Sequence, residues 1–321
     1  MMDSRNILLI LNSLSAASAL CVVVVFGLLV KRGLPVADRV SVRLQAGISL
    51  IDLMRHVQVF FSASGDDSLL CKFLGFFDVS LEHAYWYLNI CIALNMQLVL
   101  IHGLRPNRKW EMCYWTFSFL GILTFVFPLS ALDIFGKSNS GSCYIKNGIE
   151  LNNTIEMLYY NIPSTITIIY CFIISLAVIF KVNRIVALSE LPKSQKICLY
   201  TSENKAVIRR VAMYPIACFL ANVGMNVHIL YDFLNEQPNP ILYAWAKAGF
   251  YSTGLLNLLA FMADPLIFEE MCGFYTGSFI NMADEFAFPT AASSMASLQT
   301  GEALDVLCIS EQEKGTSISF L

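Results

Sequence analysis

Charge is scarce in this sequence. Its 321 residues include 21 Lys and Arg and 24 Asp and Glu, so 14% are charged against 56% hydrophobic. A soluble domain carries about 25% charged residues, so the composition points to a membrane protein. The mean hydropathy of +0.61 agrees. Ten cysteines occur without a CxxC pair or a Cys/His cluster, which excludes a zinc site of the usual spacing and a disulfide-rich scaffold. Internal repeats are absent, as is any glycine pattern for ATP or dinucleotide binding, and no cofactor is expected. The net charge of −3 says little, and nothing points to a nucleic-acid polymer as partner.

Long apolar runs, by contrast, are plentiful. A helix needs about 20 residues at 1.5 Å each to cross a bilayer core, and seven runs qualify. They are Ile7–Val30, Leu44–Ala63, Phe73–Ile101, Met112–Leu132, Met157–Phe180, Val211–Tyr231 and Ile241–Ala263. The first is too long for a signal peptide and lacks a clear small-residue cleavage site, so it is read as a retained helix. The expected fold is an all-α integral membrane bundle of seven transmembrane helices over residues 1–265. An amphipathic interfacial helix follows over 266–280, then a disordered, acidic, Ser/Thr-rich tail over 281–321.

Basic residues set the orientation. The loops after helices 1, 3 and 5 hold fourteen Lys and Arg, and the other side holds only Arg5, Lys72, Lys137 and Lys146. The basic side is therefore read as cytoplasmic, with the N-terminus outside and the C-terminus inside. Asn152-Asn153-Thr154 is a glycosylation triplet that this orientation puts outside. Cys71 and Cys143 are the only cysteines on that oxidising side, and a disulfide between them pins the outer loop over the bundle mouth.

Ionisable residues inside membrane runs mark cavities or pathways. Helix 2 carries Asp52, Arg55 and His56 on one face; helix 3 carries Asp78 and Glu82 on one face; helix 7 carries Lys247. Arg55, Asp78, Glu82 and Lys247 fall at a similar depth, roughly 10–16 Å from the outer ends. They form an expected charge layer in which Asp78 or Glu82 neutralises Lys247. As cavity walls, Arg55 and Lys247 suit an anionic or hydroxyl-rich ligand. A second layer, Asp52 with Asn257, is expected nearer the inner ends as a two-state contact; a plain packing hydrogen bond is its alternative. Pro128, Pro163 and Pro215 should kink helices 4, 5 and 6. The segment Lys181–Arg210 reads as the longest inner loop, with a basic surface suited to an acidic partner or to lipid headgroups. Arg105, Arg108, Lys109, Lys205, Arg209 and Arg210 are its expected partner-facing residues together with the helix 3 end. Cys272 is a candidate palmitoylation site.

The stretches "DRVSVRLQAGISLIDLMRHV", "CIALNMQLVLIHGLRPNRKWEMCYW", "RRVAMYPIACFL" and "GLLNLLAFMADPLI" resemble the cyclic-AMP-receptor-like G-protein-coupled receptors of slime moulds and fungi, including fungal nutrient-sensing receptors. The resemblance covers Ile7 to Phe268. It implies a plasma-membrane receptor that signals through a heterotrimeric G protein, with nucleotide, sugar or other nutrient ligands from outside. Neither a DRY triplet nor an NPxxY motif is present; helix 3 ends "LVLIHGLRP". Three rival readings remain. A seven-helix transporter of a small polar solute would show a three-helix repeat, which is absent. An opsin would use Lys247 for a retinal Schiff base with Asp78 or Glu82 as counterion. A metal hydrolase would need His56, His83 and His228 to converge.

Overall fold

The computed structural model describes residues 4–62, 69–104, 108–137, 143–146, 154–155, 157–189, 196–235, 239–264, 267–268 and 270–271. Within these, the side chains of 4–5, 62, 182, 185–189 and 196–212 are not described. Asn152, Arg105, Cys272 and the tail lie outside the described residues, and of Lys205, Arg209 and Arg210 only the helical backbone is described. The residues described fall in one compact unit, Met1–Gly273.

The unit is built of helices. They are α1 (Ser4–Lys31), α2 (Val40–Ser62), α3 (Leu69–Met96), α4 (Arg108–Phe125), the short α5 (Phe127–Ala131), α6 (Ile162–Ser189), α7 (Lys196–Asn235), α8 (Pro240–Tyr251) and α9 (Thr253–Met262). Five helical stretches are long and apolar enough to cross a membrane: Asn6–Lys31, Leu69–Ile101, Arg108–Ala131, Met157–Lys181 and Met213–Asn235. The protein is thus helical and of membrane type. The second and last sequence runs do not qualify. The helix α2 carries Arg43, Asp52 and Arg55, and the last run is split into helices of 12 and 10 residues.

Local chemistry explains the interruptions. After α1, Gly33 takes a positive φ of 66°. There Leu34 N–H donates to Leu29 O and Gly33 N–H to Val30 O, the Schellman pattern that satisfies terminal carbonyls. Pro128, in the first turn of α5, ends α4 at Phe125. Pro163 cannot donate to the carbonyl four residues back. That carbonyl, Tyr159 O, instead lies 2.8 Å from His83 Nε2, and the backbone at Met157–Asn161 widens into a π turn. A second π turn, Gln97–Ile101, follows α3. It is tied to α6 by Tyr170 Oη donating to Gln97 at 2.9 Å and Lys181 Nζ donating to Ile101 O at 2.6 Å. Pro215, by contrast, sits inside an unbroken helix.

The split between α8 and α9 has a tertiary cause. Thr253 Oγ1 donates to Phe250 O at 3.0 Å, taking the carbonyl that Gly254 would otherwise bond. Gly254 N–H donates instead to Ser15 Oγ of α1 at 2.7 Å. Gly254 is required there, because a Cβ would run into the Ser15 backbone carbonyl.

The central helix is α3. Its residues Leu81 to Asn89 are all buried, about two and a half turns with no outward face, so this helix lies on the bundle axis. It packs against α2, α4, α6 and α7 and against both strands of a hairpin. That hairpin, β1 (Phe135–Lys137) and β2 (Cys143–Ile145), pairs Phe135 with Ile145 and was not expected from sequence. The Cys71 and Cys143 sulfurs are at disulfide distance, with Cα atoms 5.0 Å apart, so β2 is fixed to the start of α3. Asp133, at φ 51°, binds Lys72 at 2.7 Å and Lys146 at 3.5 Å. At the opposite end Arg43 of α2 makes a bidentate bridge to Glu111 of α4, at 2.7 and 2.6 Å.

The expected thirty-residue inner loop is mostly helix. The helix α6 runs on to Ser189 and α7 begins at Lys196. Forty residues make α7 about 60 Å long, roughly twice a bilayer core.

Two outcomes are expected. Gly254→Ala forces the α1–α9 contact apart and should lower stability by about 1–3 kcal/mol, read as a drop in unfolding midpoint in detergent. The Asp133 carboxyl is held below its usual range, first by the Lys72 hydrogen bond and then by the Lys146 and Lys72 charges. A depressed carboxyl stabilises above its unfolded pKa of about 4 and loses that contribution as pH falls through the folded value. The wild-type unfolding temperature should therefore fall more steeply than that of Asp133→Asn below about pH 4. High salt should shrink the difference, because the site is exposed.

Candidate functional site

Three charged side chains meet where α2 faces α3. Arg55 Nη2 donates to Glu82 Oε1 at 2.6 Å, and its Nη1 lies 3.8 Å from Asp52 Oδ1. Relative exposures of 4% for Arg55, 2% for Glu82 and 0% for Asp52 mean that water screens none of them. The spacing of three between Asp52 and Arg55 puts both on the face of α2 that meets α3. Phe250 of α8 lies against the guanidinium, 4.4 Å from ring centroid to Cζ, with Tyr85 at 5.6 Å. Both are cation–π distances.

Each carboxylate recruits further partners. Glu82 accepts from Tyr160 Oη at 3.2 Å and from Tyr144 Oη at 3.4 Å. Tyr160 belongs to the π turn before α6, and Tyr144 to β2, beside the Cys143 bond. Asp52 Oδ2 accepts from Asn257 Nδ2 of α9. One buried polar chain thus runs Tyr144–Glu82–Arg55–Asp52–Asn257, from the hairpin through α3 and α2 to α9. Sequence spacing had separated a charge layer (Arg55, Asp78, Glu82, Lys247) from a switch layer (Asp52, Asn257). Arg55 joins them, because it sits one helical turn from Asp52 and reaches both carboxylates.

The expected pairing of Lys247 with Asp78 or Glu82 is replaced by another arrangement. No carboxylate oxygen of the described residues lies within 4.0 Å of Lys247 Nζ. The ammonium instead lies 5.5 Å from the Tyr243 ring and 5.7 Å from the Phe250 ring. Phe250 thus stands within reach of two cations, Arg55 and Lys247. Glu82 is taken by the guanidinium, through the single Nη2–Oε1 contact at 2.6 Å. Asp78, one turn before Glu82, is only half-buried and has no hydrogen bond or ion pair.

His56, His83 and His228 each have their own local neighbours and do not converge. His56 Nδ1 lies 2.8 Å from Asn12 Oδ1 and Nε2 3.1 Å from Thr253 Oγ1, while Asn12 Nδ2 donates to His56 O. His83 faces Val79 O and Tyr159 O. His228 sits 3.4 Å from Asp232. Among the described residues no three His, Cys, Asp or Glu side chains group as a metal site would need.

Sequence reasoning missed Tyr144, Tyr160, Asn12 and Thr253. Tyr144 carried a signal, since it adjoins Cys143 and a bond to Cys71 brings it over α3. Tyr160 had none. At the end opposite the hairpin, Arg108 and Lys109 are exposed at the start of α4.

No family model matches the chain, and no curated protein matches it.

Breaking one side of the Arg55–Glu82 pair leaves a buried unpaired charge, which costs about 3–5 kcal/mol. Glu82→Met and Arg55→Met should each lose about that much stability in detergent unfolding. The double variant Arg55→Met/Glu82→Met should lose clearly less than the sum. Additive losses would show that the two side chains are not energetically coupled.

Proposed function

We propose that this chain is a G-protein-coupled receptor of the cyclic-AMP-receptor-like class. It crosses the plasma membrane seven times, with the N-terminus outside, and passes an extracellular small-molecule signal to a heterotrimeric G protein. The observation that carries this reading is the buried polar chain from Tyr144 to Asn257. A bound molecule that shifts the disulfide-tethered hairpin alters the Tyr144–Glu82 contact. Arg55 lies between a close carboxylate and a slack one, at 2.6 and 3.8 Å, so weakening its hold on Glu82 favours Asp52. That exchange competes with the Asn257 contact and moves α9 relative to α2. Such a two-position element is what a switch requires.

Two further features support the reading. The helix α7 is long enough to extend well past a bilayer core, and its inner part carries Lys205, Arg209 and Arg210. Arg108 and Lys109 are exposed at the same end. A basic surface of this kind complements an acidic partner and speeds its encounter. In this reading Asn152 is glycosylated outside and Cys272 is acylated at the inner leaflet.

A second reading, a transporter of a small polar solute, draws support from one observation. The α8–α9 helix is broken between Lys247 and Asn257, and discontinuous helices flank substrate sites in many carriers.

Guanine-nucleotide exchange on co-expressed heterotrimer in membranes separates the two. Nucleotides, sugars, amino acids and short peptides would be offered to the wild type and to Lys205→Ala/Arg209→Ala/Arg210→Ala. A receptor should give ligand-dependent exchange that falls about tenfold or more in the triple variant as steering is lost. Uptake into sealed vesicles with no exchange for any ligand would favour the carrier.

A further inference from the structure

We propose that the outward face of α4 seats one anionic phospholipid, with an acyl chain in a groove ending at Leu120 and the headgroup on Arg108 and Lys109. This goes beyond the receptor reading. The basic inner part of α7 stays available to a protein partner, and Arg108 and Lys109 are given to the membrane.

The groove has a volume of about 490 Å³ and is lined by Lys109, Met112, Cys113, Thr116, Phe117 and Leu120. Steps of three and four along α4 put all six on one stripe, and all six are exposed. Tyr114 and Ser118 are buried on the opposite face, where the Tyr114 carbonyl and the Ser118 hydroxyl meet Cys91 of α3. The groove therefore faces away from the bundle. Of the five membrane-length stretches, Arg108–Ala131 is the least covered by the rest of the protein. One wall is held in place from behind. The Phe117 ring meets the Tyr87 ring of α3 edge to face, with centroids 5.6 Å apart. One turn on, Gly121 lies so close to Tyr87 that a Cβ there would strike the ring.

Length and charge select the occupant. Lys109 to Leu120 is eleven residues, about 16 Å along the helix axis. That is about half of a 30 Å hydrocarbon core, the depth of a single leaflet. Trp110, next to Lys109, is the kind of residue that sits at headgroup level, so the base stands where a phosphate would be and the apolar stripe runs inward from it. The single acid of α4, Glu111, is taken by Arg43 at 2.7 and 2.6 Å. The start of α4 therefore presents two bases to the membrane surface, and bases there attract lipids of net negative charge.

A second copy of the chain fits this face less well. Two copies in one membrane, related by a twofold axis along its normal, bring residues of equal depth together. Lys109 would then oppose its own copy, a like-charge contact that an anionic lipid avoids.

Full-length protein carrying Trp245→Phe would be reconstituted into phosphatidylcholine vesicles. Trp110 and Trp115 border the groove on its two sides, three residues from Cys113 and Met112, and serve as reporters. Phosphatidylserine with brominated acyl chains would be titrated in, beside brominated phosphatidylcholine with the same chains. Phosphatidylserine should quench in a saturable way, reaching half its effect at about a fivefold or more lower mole fraction, the factor expected of one base beside a headgroup. Arg108→Gln/Lys109→Gln should make the two lipids equivalent. Thr116→Phe, which fills the groove and leaves the charge, should weaken phosphatidylserine binding severalfold. The proposal is overturned if the wild type does not prefer phosphatidylserine or if the double variant keeps the preference. It is also overturned if Thr116→Phe changes nothing, since headgroup attraction alone would then explain the binding. Oxidative crosslinking of Cys113 between copies, lost in Cys113→Ser, would show a second copy on this face and overturn it as well. Vesicles expose the lipid in both leaflets and no nucleotide exchange is read, so each outcome is independent of the receptor reading.

Discussion

A guanidinium removed from water must find its counter-charge and its hydrogen-bond acceptors inside the protein, and Arg55 sets this requirement for the whole bundle. Its demand fixes Glu82 on α3 as the close partner and Asp52, one turn away on α2, as the distant one. Both carboxylates then have lone pairs to satisfy. Tyr144 and Tyr160 fill those of Glu82, and Asn257 fills one on Asp52. Each of these residues comes from a different element. The positions of the hairpin, the start of α6 and the final helix therefore all refer back to one side chain. A buried ion pair of this kind contributes little net stability over an apolar core. Its effect is to exclude other relative placements of the elements it touches.

The surrounding packing holds that arrangement without making it rigid everywhere. The helix α3 is enclosed on all sides over Leu81–Asn89, and the Cys71–Cys143 contact and the Asp133 ion pairs tether the hairpin to its start. The last two helices are held differently. Their junction gives up a main-chain bond to Ser15 of α1 and to the Thr253 hydroxyl. Phe250, just before the junction, contacts Arg55, and Asn257, just after it, contacts Asp52. The break in the helix therefore falls between two contacts to the same buried network, so a change in one is transmitted to a segment with little internal stiffness.

Much of this was legible in the chain. Apolar runs gave the helices, because a hydrocarbon environment demands them and composition reports that demand directly. Pro128 and Pro163 marked real interruptions, since the missing N–H acts locally. The α8–α9 break was not legible, because it depends on Ser15, some 239 residues away in sequence. The hairpin was hidden by its brevity, with strands of three residues each. At the site, helical spacing placed Asp78 and Glu82 on one face but could not say which would meet Arg55. Periodicity fixes the direction of a side chain around its own helix and carries no information on the rotation of its neighbour. Lys247 and Glu82 looked like partners because depth was the only coordinate available, and the structure adds the two lateral ones.

The length of α7 has a mechanical consequence. Pro215 cannot donate to the carbonyl one turn earlier, so the helix is softest there. From Pro215 to the Lys196 end the rod extends about 28 Å at 1.5 Å per residue. Treated as a lever pivoting at Pro215, it turns a tilt of about 10° into a sweep of about 5 Å at its tip, one full helical pitch. A displacement too small to disturb the packed centre is thus enlarged at the far end to the scale of a whole side chain.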